Sequence, residues 1–168
     1  MKKLIAQFLI IATLIVLGGV LAAQAQKKTA VTKKLREVNI YLVKEDAEYD
    51  PNNLANLFPV RHRVDARAPL AATLRTLMRG ETAHEQKRRL FAPTFGIQFV
   101  SVALKDGAAL ARFTMPEGAA FSGTNSPLYF IAAVEKTALQ FPEVKKVTVC
   151  LDGIVDFWRE DENEPQRC

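Results

Sequence analysis

Residues 137–153 read TALQFPEVKKVTVCLDG, and this stretch decides the fold. Its first five residues close an amphipathic helix: Val134, Ala138 and Phe141 recur at helical spacing, and Pro142 cannot continue the turn. Val144 and the run Val147-Thr148-Val149-Cys150-Leu151 then read as a core strand, apolar on both faces and rich in β-branched residues. Asp152-Gly153 is a turn signal. A helix that feeds directly into a buried strand must pack back on the sheet that strand joins. Phe141 and Val147 are therefore expected in the core at the junction.

The same reading extends upstream. Ser126-Pro127 suits a helix start, with Ser126 as cap and Pro127 in the first turn, and the buried stripe is expected at Leu128, Ile131, Val134, Ala138 and Phe141. Before it, Val100, Val102 and Leu104 alternate, Asp106-Gly107 turns the chain, and Leu110 to Phe113 returns, which predicts a hairpin. An earlier helix opens at Pro69, carries Leu70, Leu74, Leu77 and Met78 on one face, and stops at Gly80. Thr82-Ala83-His84-Glu85 matches a capping box that opens a short helix through Leu90.

Two strands are expected first: Val38–Val43, with Val38, Ile40 and Leu42 on one side, and Leu57–Asp65, with Val60, His62 and Val64 opposite Arg61 and Arg63. Lys44 to Asn56 between them is a polar loop, and Ile154 to Trp158 is expected to add an edge strand at the far end. Strand, strand, helix, hairpin, helix, strand implies an α+β fold. Its economical form is a two-layer sandwich, with two amphipathic helices on one face of a small mixed β-sheet.

Residues 1–25 carry Lys2 and Lys3, an apolar run from Phe8 to Leu17, and Ala23-Gln24-Ala25, the small-x-small pattern a signal peptidase needs. Leu4 to Ala23 is also long enough to span a bilayer, so a signal peptide and a retained N-terminal anchor both stand. Either delivers the chain outside the cytoplasm: periplasmic, secreted or membrane-anchored facing outward. Contact with the membrane is then expected only through this segment. Residues 26–36 read as a basic linker, 37–158 as one domain, and 159–168 as an acidic, flexible tail. A chain this long buries about two-thirds of its unfolded surface and needs no metal to fold.

The 23 basic residues outnumber the 18 acidic ones. The excess is mild and interspersed, which does not call for nucleic acid as a partner. Two clusters stand apart: Lys27, Lys28, Lys33, Lys34 and Arg36, and Arg61, Arg63 and Arg67. They suit a solvated linker, or attraction to an anionic envelope polymer.

No residue set for catalysis is evident. His62 and His84 are the two histidines, too few for a zinc site at compatible spacing, and no Gly-rich phosphate loop, G-x-S-x-G or H-E-x-x-H is present. Glu81 and Glu85 lie one turn apart, as capping and solvation require. Cys150 sits in a core strand, where burial raises a thiol pKa. It is free to pair with Cys168 or to leave Cys168 for another molecule. No catalytic, cofactor-binding or metal residue is expected, and the chain is expected not to be an enzyme.

Four stretches in this order resemble the GerMN domain family of sporulation and spore-germination proteins: Val38–Val43; Pro69–Thr82 with Glu85; Val100-Ser101-Val102 with Asp106-Gly107 and Ala109–Phe113; and Thr137–Val147 leading to Leu151-Asp152-Gly153. The chain departs from the family pattern at Glu81, where proline is common, and at Ala138, where leucine is usual. The resemblance implies a fold similar to the ring-building motifs of secretion and sporulation channels. It also implies assembly in the envelope, with another envelope protein, with itself or with peptidoglycan, and no catalytic residues. The alternative class is a wall-polymer ligand-binding or hydrolytic domain, motivated by Arg61, Arg63 and Arg67.

Overall fold

A computed structural model describes residues 34–45, 56–123, 126–158, 164 and 166–168. The signal or anchor reading of residues 1–25, the linker up to residue 33, the centre of the polar loop and residues 159–163 and 165 lie outside the described residues. The described residues belong to one compact unit.

β1 (Leu35–Lys44) begins two residues inside the expected linker. Its Val38, Ile40 and Leu42 are buried, as their alternation requires. Arg36, counted with the linker, lies over the Phe141 ring at 5.1 Å. β1 pairs antiparallel with β2 (Leu57–Asp65) from Leu35 opposite Asp65 to Val43 opposite Leu57.

α1 (Pro69–Met78) starts with proline at its first position and buries Leu70, Thr73, Leu74 and Leu77. Gly80 ends it at φ +83, a conformation that costs any other residue strain. α2 (Ala83–Lys87) opens with the expected capping box. It stops short of Leu90. Leu90-Phe91 is instead a two-residue strand, β3, paired with Val43 and Lys44 of β1. Backbone pairing at the end of β1, with Leu90 buried, outcompetes another half-turn of a short helix.

β4 (Gln98–Lys105) and β5 (Ala108–Thr114) form the expected hairpin, with positive φ at both Asp106 and Gly107 as a type I′ turn demands. The alternation expected along β4 is broken. A bulge between Phe99 and Ser101 leaves Val100 56% exposed. Phe99 and Val102 pack against the core instead. β6 (Lys146–Leu151) adds parallel to β5.

α3 (Ser126–Leu139) buries a stripe at Phe130, Ala133, Val134, Thr137 and Ala138, continued by Phe141 just beyond its end. This corrects the expected stripe: Leu128 is exposed and Ile131 half-buried. The rings decide the rotation. Phe130 meets Phe113 edge-on at 5.1 Å, with Phe121 and Phe157 each 6.2 Å away.

The class is α+β, but the strands divide between two three-stranded sheets, ordered β2-β1-β3 and β4-β5-β6. α1 packs on β1, β2 and β4, and α3 packs on β1, β6 and α1. The part of β1 that β3 does not reach is closed by side chains from the last turn of α3 and the residue just after it. The Gln140 amide accepts from Asn39 N–H (2.8 Å) and donates to Asn39 C=O (2.7 Å), as a neighbouring strand would, and Thr137 Oγ1 accepts from Tyr41 N–H (3.2 Å).

The C-terminal expectations need two corrections. Ile154–Trp158 forms no strand: Ile154 makes isolated bridges to Leu151 and Arg167. The end of the supposed flexible tail is also tied down. Cys168 is disulfide-bonded to Cys150, its N–H donates to Gly153 C=O (3.0 Å), and Gln166 N–H donates to Asp156 (2.8 Å).

Candidate functional site

The fold brings together residues that are 23 apart in sequence. His62 Nε2 lies 2.7 Å from Glu85 Oε1, joining β2 to α2. Glu85 is only 3% exposed. Its other oxygen accepts from Thr82 N–H at 2.6 Å, so both are engaged. Burial alone would raise its pKa; the hydrogen bonds from Thr82 and His62 outweigh that and hold it below the usual carboxylate range. Glu81 behaves alike: burial opposes ionisation, but bonds from Ala92 N–H (2.9 Å) and Gln86 (3.1 Å) prevail and lower its pKa. These carboxylates work as clasps. Among the described residues no three His, Cys, Asp or Glu side chains cluster as metal ligands. The His62–Glu85 contact is not legible in the sequence, because its partners lie on different elements. His84 is exposed.

The arginines separate. Arg61 faces Glu37 at 3.6 Å. Arg67 forks onto Asp65 with bonds of 2.7 and 3.1 Å. Arg63 joins two residues that the sequence reading passed over, Arg75 and Arg79, around a recess between β2 and α1. Cys150 and Cys168 carry no thiolate, since they are bonded to each other. Of the aromatic residues, Phe130 is core, Tyr129 accepts a bond from Asn56 (2.8 Å), Phe157 is half-buried and Trp158 is 39% exposed.

The sheet edges differ in how they are finished. Lys146 N–H donates to Gly107 C=O and Asp152 N–H to Phe113 C=O, both at 3.1 Å. In a parallel ladder this turns the main-chain groups of Val147 and Val149 to the other side. Among the described residues no strand lies against them. A groove of about 270 Å³ runs along this edge, walled by Ile131 and Glu135 of α3 and by Val155, Trp158 and Gln166 of the C-terminal segment. Burial raises the pKa of the Glu135 carboxyl. β4 presents a second exposed edge, with Val100 and Leu104 on its surface.

No protein-family model matches the sequence, and no curated protein does. The fold does have counterparts among solved structures. The tandem GerMN domains of the sporulation protein GerM from Bacillus subtilis superpose with a TM-score of 0.53 at 20% identity, over 83% of this chain and 49% of that one. The first GerMN domain of the same protein superposes over 70% of this chain and 84% of that one, at 16% identity and a TM-score of 0.47. The chain therefore has the GerMN fold. It spans about half the length of the tandem-domain structure.

Proposed function

We propose that the chain is a non-catalytic interaction domain of the cell envelope that works outside the cytoplasm. It docks an extended segment of another envelope protein, or of a second copy, along β6. The open edge at Val147 and Val149, with a groove beside it, carries this reading, because unpaired main-chain groups on a strand edge recruit another strand, and the groove leaves room for its side chains. Two observations support the setting. A bond between Cys150 and Cys168 persists in oxidising compartments, and residues 1–25 read as an export segment. Sporulation, germination and wall processes enter through the fold shared with GerM. A hydrolytic role finds less support, since hydrolysis needs a base or nucleophile in a cleft and the His62–Glu85 pair has both carboxylate oxygens engaged.

A photo-crosslinking residue at position 148 tests the reading in intact cells, with position 86 on α2 as control. Adducts to an envelope protein or a second copy are expected from 148 and not from 86. A chain that stays monomeric in light scattering and gives no adduct from 148 overturns it. So does turnover of peptidoglycan or peptide substrates that is lost in His62→Asn.

A further inference from the structure

The recess between β2 and α1 collects Arg63, Arg75 and Arg79 on its rim. Arg75, with Ala72 and Thr76, lies on one face of α1, Arg79 follows at its C-cap, and Arg63 lines the recess from β2. The hollow measures about 160 Å³. Among the described residues none of the three guanidinium groups has a carboxylate within ion-pair distance. Glu37 lies directly across the ladder from Arg63 but points to Arg61. Asp65 lines the recess and is forked by Arg67. Local structure accounts for part of this. Arg75 stacks over the Phe99 ring at 5.3 Å, and cations suit the C-terminal end of a helix. Neither reason applies to Arg63, and like charges gathered around one hollow repel each other.

We infer that this recess binds an oxyanion, and specifically a phosphate ester on a soluble ligand or polymer. The recess itself argues for phosphate over carboxylate. The recess already holds one carboxylate, Asp65, which takes both the guanidinium fork and the main-chain N–H of Arg67. Three further forks call for an anion that offers acceptor oxygens in several directions, which a tetrahedral phosphate does. Convergence on a small hollow, in place of a spread basic plane, argues for a discrete group over a membrane surface. This site is independent of the β6 edge, so either can fail without the other.

Calorimetric titration of the full-length protein tests it, with inorganic phosphate, glycerol 3-phosphate, glutarate and phosphatidylglycerol vesicles as separate probes. Saturable binding of the two phosphates, weakening as salt rises, is expected. Arg63→Ala with Arg79→Ala should weaken it at least tenfold, while Arg61→Ala, outside the recess, leaves it unchanged. Arg63→Lys with Arg79→Lys keeps the charge but loses the forks. It should weaken binding severalfold and guards against misfolding of the double alanine variant. The proposal is overturned if neither phosphate binds, if glutarate binds as tightly, if only vesicles bind, or if a folded double variant binds as the parent does.

Discussion

β1 and β6 both end a stretch of sheet, yet they are finished in opposite ways. Where β3 runs out, β1 meets the Gln140 amide and the Thr137 hydroxyl, which pair with Asn39 and Tyr41 as a strand would. β6 has α3 on one side of its edge and the C-terminal segment on the other, and Val147 and Val149 face the groove between them. Both edges lie beside the same helix. Their apolar residues do not separate them, since Val38, Ile40 and Leu42 are buried in β1 as Val147 and Val149 are in β6. The difference lies in which side chains α3 and the residue after it present at each place: Thr137 and Gln140 at β1, Ile131 and Glu135 at β6. An edge closed from within cannot recruit a partner, and an edge left open can.

Substitutions can break this contrast. The largest effect is expected from Phe141→Ala. The ring is 0% exposed at the junction that delivers Gln140 to β1, and its removal should cost about 3–5 kcal/mol in chemical denaturation. A loss below about 1 kcal/mol would mean that the junction does not rest on the ring. Next comes the Cys150–Cys168 bond, which closes a loop of sequence separation 18 and holds one wall of the β6 groove. Cys168→Ser should cost about 3 kcal/mol, and reductant should destabilise the parent similarly but leave the variant unchanged.

Gln140→Ala tests the contrast most directly. It leaves the Asn39 main-chain groups unpaired, at a cost of about 1–3 kcal/mol. It should also turn β1 into an open edge, so the variant is expected to self-associate more than the parent in light scattering. A destabilised variant that associates no more than the parent would show that edge closure at β1 does not govern assembly.

Two smaller effects are pH-dependent. Glu85 has a folded pKa below its unfolded value, so its contribution to stability is present above the unfolded pKa and lost as pH falls through the folded one. Unfolding free energy measured from neutral to acid pH should therefore decline, and Glu85→Gln should flatten the slope. Glu81, also lowered, acts in the same direction. Glu135 has the opposite sign. Its folded pKa is raised, so its stabilising contribution is present below the unfolded pKa and lost as pH rises. Glu135→Gln should slightly stabilise the protein at neutral pH and have no effect at acid pH. Equal behaviour at both would mean that the groove does not desolvate this carboxyl.

Local chemistry determined what the sequence could determine alone. Period-2 and period-3.6 spacing located β1, β2 and α1, and a β-branched and apolar run located β6. Gly80, the Thr82–Glu85 box and Asp106-Gly107 marked boundaries because each satisfies a backbone demand within a few residues. Tertiary structure decided whatever depended on competition between distant partners. Apolar residues on α3 allowed more than one stripe, and the place left by Phe113, Phe121 and Phe157 chose Phe130 over Leu128. The strand at Leu90-Phe91, the partition into two sheets, the His62–Glu85 clasp and the convergence of Arg63 with Arg75 and Arg79 have the same origin. Each joins groups on separate elements, and a contact energy that exists only after the chain has folded back leaves no mark on local sequence.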